Sequence, residues 1–309
     1  MGGGSYSYDS ASARCFTYCS AAATDTSYMD KYVFTERSLN RDMDVKNKIR
    51  ESRDSDEHPK SFPIIIGLDV TGSMGYIPKE LIKNGFPEIM KKIMDNGVEH
   101  AQVCFMGIGD SECDRAPIQV GQFETSDELT EKWLKSIYLE GGGGGNEGES
   151  YALAWYVAGR MTSTDSFEKR GKKGVLITIG DEPYLKTLRK KDAKELFGGA
   201  EKDVDSLQLL DEARKSWDVY HINVVDYSGI QPRVQNQWKQ TLGDHLINTE
   251  SRDGKDIPDI IAGIILKAYK ESSDASDILV DSAEAVHVPT PSTPHNAEET
   301  PDSCGGIIL

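Results

Sequence analysis

Asp69, Thr71 and Ser73 stand at alternate positions in the stretch Asp69-Val70-Thr71-Gly72-Ser73-Met74-Gly75. One carboxylate and two hydroxyls on a single short loop form an oxygen-only donor set, the kind that hard divalent cations such as Mg2+ or Mn2+ select. Gly72 and Gly75 allow that loop to turn tightly. A second acidic stretch, Gly180-Asp181-Glu182-Pro183, and a third oxygen-rich one, Asn146-Glu147-Gly148-Glu149 after a run of five glycines, offer further ligands. The predicted metal set is Asp69, Thr71, Ser73 and Asp181. Asn146, Glu147, Glu149 and Asp110 are candidates for further ligands or for groups standing behind them.

Other chemistries fit these residues less well. The glycine run is not followed by the Gly-Lys-Ser/Thr of a phosphate-binding Walker loop. A phosphatase nucleophile at Asp69 would want a carboxylate two residues on, where Thr71 stands. Gly109-Asp110-Ser111 has no following Asp-x-x-His to supply a base and its orienting partner, so a capped turn is expected there. Six scattered histidines form no zinc motif. Five cysteines, at 15, 19, 104, 113 and 304, contain no CxxC pair, and Cys104 falls inside an apolar run. No catalytic residue is assigned, and the expectation is a protein that is not an enzyme.

The elements that must position these groups are legible as alternating strands and helices. Phe62–Leu68, Ala101–Ile108 and Val175–Ile179 are near-continuous apolar runs, as strands buried on both faces of a parallel sheet require. Pro117–Phe123 alternates and suits a half-exposed, antiparallel edge strand, while Val219–Val225 and His245–Asn248 read as further strands. Helices are expected from Pro78 onward, after a Thr125/Glu128 capping box, over Tyr151–Met161, Leu185–Phe197 and Val204–Trp217, and beyond Asp256 with Pro258 in the first turn. The fold class is therefore α/β, an open, mostly parallel, doubly wound (Rossmann-like) sheet with one antiparallel edge strand and helices on both faces. In such a sheet ligands bind beyond the carboxyl ends of the strands, where Asp69 and Asp181 fall.

The Asp69-x-Thr71-x-Ser73 loop, the glycine-rich loop before a helix, and Asp181 after a central strand together resemble a von Willebrand factor A (vWA) domain over roughly residues 62–273. The stretch from Gly107-Ile108-Gly109-Asp110 through the glycine run is most similar to the intracellular, alpha-kinase-associated branch of that family. The resemblance implies a metal-ion-dependent adhesion site (MIDAS). Thr71 and Ser73 would contact the cation directly and Asp69 and Asp181 would act largely through bound waters. Asn146 stands where the branch carries Asp; that neutral amide weakens the implied affinity unless Glu147 or Glu149 supplies the charge.

Composition sets the surroundings. The chain has 309 residues, and 35 Lys and Arg against 51 Asp and Glu give a net charge of −16, which disfavours nucleic-acid binding. No apolar run approaches the roughly 20 residues of a membrane span, and the start shows no signal-peptide or myristoylation pattern. A cytoplasmic location is expected. Residues 1–61 read as an extension, Ser/Tyr-rich and then charged, whose Tyr6, Tyr8, Tyr18, Tyr28 and Tyr32 either pack on the domain or bind another chain. Residues 274–309, acidic and proline-containing without Lys or Arg, read as a disordered tail. The basic run Lys186, Arg189, Lys190, Lys191 and Lys194 is either a solvated helix face or a steering surface for an acidic partner. The expected function is a non-enzymatic vWA-type protein-interaction module that binds a partner's Asp or Glu through Mg2+ (or Mn2+). The alternatives are a structural or assembly component with a degenerate metal site, and a metal-dependent hydrolase.

Overall fold

The computed structural model describes residues 4–142, 148–199, 202–225, 229–249 and 254–284, so Asn146 and Glu147 lie outside the described residues. In chain order the elements are α1 (Tyr8–Thr24), β1 (Arg50–Ser52), β2 (Phe62–Asp69), α2 (Tyr76–Glu80), α3 (Phe86–Asp95), β3 (Ala101–Ile108), β4 (Ile118–Val120), α4 (Asp127–Lys135) and α5 (Ala152–Arg160). There follow β5 (Thr162–Thr164), α6 (Asp165–Arg170), β6 (Gly174–Gly180), β7 (Thr187–Leu188), α7 (Lys190–Phe197), β8 (Val204–Asp205), α8 (Ser206–Ala213), β9 (Trp217–Asn223), α9 (Pro232–Leu242), β10 (Leu246–Asn248) and α10 (Ile257–Glu284).

Six strands form the central sheet in the order β10-β9-β6-β2-β3-β4. Every pairing is parallel except β3 with β4, the antiparallel edge strand; where the alternating pattern implies half-exposure, Ile118, Gln119 and Val120 are all buried. All residues of β2, β3 and β6 are buried, which is why these segments are almost purely apolar. Strand alternation splits them between two cores. Ile64, Ile66 and Leu68 pack with the isoleucines of α10 and with α3, whereas Ile65 packs with Trp155 of α5, Leu209 of α8 and Trp238 of α9. Successive strands are laid on opposite sides of β2, with β3 on one flank and β6 on the other, so the chain reverses its direction of winding there. That switch opens a crevice at the carboxyl ends of β2 and β6.

Several boundaries differ from the sequence reading. The helix expected from Pro78 begins at Tyr76 and passes through a π-helical turn, Leu81–Gly85, before α3. Phe86 N–H reaches back to the Leu81 carbonyl, and Pro87 has no N–H for the α-helical ladder, so the wider turn absorbs the missing bond. The cap of α4 is Ser126, not Thr125: Ser126 is extended and its Oγ accepts from Leu129 N–H at 3.3 Å, while the Thr125 hydroxyl donates to the Gly4 carbonyl at 2.7 Å. The helices expected at 185–197 and 204–217 are shorter because β7 and β8 pair antiparallel ahead of them. Asp205 then caps α8, its carboxylate accepting from Leu207 N–H at 2.8 Å. At the other end, α10 runs past residue 273, where the composition turns acidic, to Glu284.

Of the two roles left open for the early tyrosines, packing on the domain is seen for four, with Tyr28 half-buried against the core. Tyr6 meets Phe86 edge-to-face, Tyr8 Oη donates to Glu88 at 2.7 Å, and Tyr18 Oη donates to Glu131 at 2.6 Å. Arg14 of α1 ties the segment down, its guanidinium reaching Asp127 at 2.7 Å and Glu131 at 2.6 Å on α4. Farther on, the Met43 carbonyl accepts from Val120 N–H at 2.8 Å and covers the edge of β4. Arg14→Ala would leave the largely buried Asp127 and Glu131 carboxylates without this cation, costing about 1–3 kcal/mol. Limited proteolysis should then cleave within α1 faster than in the parent protein, with the sheet remaining resistant.

Candidate functional site

Leu68 of β2 lies opposite Ile179 of β6, so Asp69 ends one strand beside the place where Gly180 ends the other. Asp69 is 1% exposed. Its Oδ1 accepts from Thr71 N–H at 2.9 Å and from Thr71 Oγ1 at 2.6 Å, which folds the metal-type loop back on the strand. Its Oδ2 accepts from the buried Tyr151 Oη at 2.7 Å. Gly180 makes that last contact possible. A Cβ there would stand 1.8 Å from Tyr151 Oη and 2.9 Å from Asp69 Oδ2. Behind it, Tyr151 meets His221 and Trp238 edge-on, and His221 stacks on Trp238 with ring centres 3.7 Å apart. Burial pulls the His221 imidazole well below its usual pKa, so it sits neutral beneath the rim.

The outer part of the loop is open. Ser73 is exposed, and its Oγ donates to Asp181 Oδ1 at 3.4 Å. Gly72 N–H donates to the Gly142 carbonyl at 2.6 Å and joins this loop to the glycine-rich one. Glu149, 5% exposed, closes the third side. Its N–H donates to the Pro183 carbonyl at 2.9 Å and its carbonyl accepts from Leu185 N–H at 3.0 Å, so backbone bonds hold it against the Asp181 loop. Asp110 is buried nearby, its Oδ1 accepting from Glu112 N–H at 2.8 Å and from Ser150 Oγ at 3.4 Å. Asp114 Oδ2 in turn accepts from Asp110 N–H at 2.8 Å.

Electrostatics set this rim apart. Burial pushes the Asp69 carboxyl up to about 7, and the charge of Asp181 adds to the rise, even though the Thr71 and Tyr151 hydrogen bonds pull the other way. Glu149 is pushed up to about 9, first by burial and then by the charges of Asp69, Asp110, Asp114 and Glu182. Its Oε2 finds no hydrogen-bond partner among the described residues. Thr71 sends its hydroxyl proton to Asp69 and Ser73 sends its proton to Asp181, which leaves lone pairs on both hydroxyl oxygens for a cation. Among the described residues no three His, Cys, Asp or Glu side chains form a metal-binding group by themselves, so a cation here would have to draw on those hydroxyls.

The structure thus gathers Asp69, Thr71, Ser73, Asp181, Glu149 and Asp110 at one end of the sheet. Tyr151 and Gly180 were not singled out from the sequence as parts of the site. The usable signal for Tyr151 was its place in an apolar helix directly after the oxygen-rich loop, since a buried phenol needs a partner for its hydroxyl.

The open, mostly parallel sheet with one antiparallel edge strand is the fold class that the sequence patterning implies. The fold is a doubly wound, Rossmann-like α/β fold. No protein-family model matches the chain, and no curated protein matches its sequence. Similar solved structures include a pilus adhesin, SpaC, from Lactobacillus rhamnosus GG, with 12% identity over 71% of this chain and 31% of the adhesin at a TM-score of 0.44. A von Willebrand factor type A protein from Catenulispora acidiphila is 11% identical over 68% of this chain and 43% of its own, at a TM-score of 0.41. An aerotolerance-related membrane protein from Bacteroides fragilis is 14% identical over 67% of this chain and 99% of its own, at 0.39. The chain spans about a third of the adhesin and less than half of the Catenulispora protein. At these identities and scores none of them lends this chain a function.

Proposed function

We propose that this rim holds a divalent cation, Mg2+ or Mn2+, and uses it to bind an acidic side chain of a protein partner. The observation that supports this most is the buried Glu149 carboxylate, one oxygen of which has no hydrogen-bond partner among the described residues, in a setting where the charges that act on it most strongly, those of Asp69, Asp110, Asp114 and Glu182, are negative. Such a cluster of carboxylates is costly unless a cation compensates it. Thr71 and Ser73 would hold the ion through their hydroxyl oxygens. Asp69, Asp181 and Glu149 would supply the negative charge, with Glu149 filling the anionic role that Asn146 does not offer in the alpha-kinase-associated type of loop. When bound, the ion presents a directional positive charge that a partner's Asp or Glu can complete.

The chain's own residues do the positioning. Asp69, held by Tyr151, fixes the Thr71 hydroxyl, and the glycine loop pins Gly72. Ser73 is exposed and Asp181 partly so, which leaves this side of the rim open to a partner. We read the chain as a binding module rather than an enzyme, because the imidazole packed against Tyr151 is sealed under the rim and hydrogen-bonded through Nδ1 to Thr178 Oγ1 at 2.9 Å.

Thermal unfolding in EDTA and in millimolar Mg2+ or Mn2+ tests the reading. A cation at a hundredfold excess over Kd adds about 2.7 kcal/mol, which in a domain of this size raises Tm by roughly 5–10 °C. Ser73→Ala, an exposed change, should unfold like the parent in EDTA and lose most of the gain. A Tm indifferent to both ions in the parent protein would overturn the proposal.

A further inference from the structure

The fold brings together two histidines that stand 42 residues apart in the chain, His58 and His100. They lie at the amino ends of the central strands, at the opposite end of the sheet from the Asp69 rim. His58 stands shortly before β2, and His100 directly precedes β3. The two strands pair with Phe62 opposite Ala101, and Phe62 N–H donates to the His100 carbonyl at 2.9 Å. His58 N–H donates to the Ser55 carbonyl at 3.1 Å and to Ser55 Oγ at 3.0 Å. Backbone bonds therefore place both residues before their rings are considered.

The rings face each other through nitrogen. His58 is 6% exposed and His100 half-buried, with the two Nδ1 atoms 3.4 Å apart and the ring planes at 76°. His58 Nε2 lies 2.9 Å from the Gly4 carbonyl, which can only accept. Nε2 therefore carries the proton, and the neutral ring presents a lone pair at Nδ1. Metal-bound imidazoles are held in this way, the other N–H given to a carbonyl behind them. The 3.4 Å gap is longer than the roughly 2.7–3.2 Å typical of a hydrogen bond donated by N–H. It matches a shared ion. With metal–nitrogen bonds of about 2.0–2.1 Å, two nitrogens on a tetrahedral ion stand roughly 3.3–3.4 Å apart, against roughly 2.8–3.0 Å for neighbouring corners of a square or an octahedron. Tetrahedral spacing and imidazole donors point to zinc, not to the Mg2+ or Mn2+ that oxygen donors select.

We propose that His58 and His100 form a Zn2+ site, separate from the rim, in which both Nδ1 atoms bind the ion. No third His, Cys, Asp or Glu completes a group with them among the described residues, so the remaining positions belong to water. The ion ties together the segments that enter β2 and β3. It also steadies the amino-terminal segment, because the Gly4 carbonyl that His58 holds accepts from Thr125 Oγ1 at 2.7 Å as well. Two protein ligands, where a structural site has four, imply affinity of micromolar order.

The test is a titration of the metal-free full chain with Co2+ and then Zn2+, with millimolar Mg2+ present so that oxygen-only sites do not compete. Co2+ in a tetrahedral site absorbs intensely in the visible, and thiolate ligands add charge-transfer bands in the near ultraviolet. Tetrahedral-type bands without thiolate bands are expected, displaced by equimolar Zn2+. His100→Ala should lose the bands and weaken Zn2+ binding by about tenfold or more. That residue is half-buried and its backbone carbonyl is kept, so an unchanged Tm in EDTA is the check on folding. The parent spectrum needs no variant, and it stands as a test even where the variant is destabilised. No Zn2+ binding up to millimolar concentration, equal binding by a folded His100→Ala protein, or thiolate bands that persist in it would overturn the proposal. A weak, octahedral-type Co2+ spectrum would do the same, since the spacing of the two nitrogens is the ground for the site.

Discussion

Gly180→Ala should lower Tm by on the order of 10 °C and abolish any response to Mg2+. A methyl at this position would meet Tyr151 Oη at 1.8 Å and Asp69 Oδ2 at 2.9 Å, far inside any real contact. Tyr151 is packed between His221 and Trp238 and has no room to retreat. Overpacking of this kind costs about 1–3 kcal/mol. Displacing the phenol from Asp69 removes a hydrogen bond to a buried carboxylate, worth about 1.5–3 kcal/mol more. Gly263→Ala is the matched control. It lies on the exposed side of α10 with no atom within 4 Å of the added methyl, so it should be neutral or stabilising by up to about 1 kcal/mol. Equal melting of the two variants would show that the Tyr151–Asp69 contact does not set the rim.

Without a cation, stability should fall as pH rises from about 5 to 9, the reverse of the usual effect of salt-bridged carboxylates. Asp69 and Glu149 are raised to about 7 and about 9 in the folded protein, from ordinary values of 3.8 and 4.5. Between those limits the folded state binds more protons than the unfolded chain. The stabilisation is therefore complete below the unfolded values and is lost as pH climbs through the folded ones. Each group contributes a slope of about 1.4 kcal/mol per pH unit within its window. Glu149→Gln removes the longer of the two windows. In EDTA at pH 8 the variant should therefore be more stable than the parent by several kcal/mol, on the order of 3 or more, and the decline beyond pH 7 should flatten. Saturating Mg2+ should reverse the trend in the parent, because ligands bind the cation deprotonated and affinity rises with pH. Chemical denaturation across this pH range, with EDTA or Mg2+, reads both effects. A parent protein whose EDTA stability rises steadily from pH 5 to 9 would contradict the shared cause, carboxylates buried without a counter-charge.

How far the sequence could go follows from how local each signal is. The strands β2, β3 and β6 were legible because burial on both faces demands an unbroken apolar run, and the oxygen-rich loop was legible because its donors lie within five residues. The meeting of Asp69 with Asp181 also followed, since both close central strands at one end of a doubly wound sheet. Contacts across space were not legible in the same way. Tyr151 reads as one more core aromatic until its hydroxyl is seen against Asp69, and Gly180 reads as a strand end until the phenol is seen passing over it. The α1 helix was hidden for a different reason. Its inward side is made of Ala, Cys and Tyr rather than branched aliphatics, and it is secured by Arg14 reaching α4, a pairing with no sequence period.

Whether the rim binds a cation at all is most directly measured by titrating the full chain with Mn2+ and following the free-ion electron paramagnetic resonance signal at pH 8. A single saturable site is expected, competed by Mg2+ and lost or weakened by at least about tenfold in Ser73→Ala and in Asp181→Ala. Neither change touches the buried Asp69–Tyr151 pair, so both proteins should remain folded. Mn2+ that stays free at millimolar concentration, or binds the two variants as it binds the parent, would contradict a cation held by these loops.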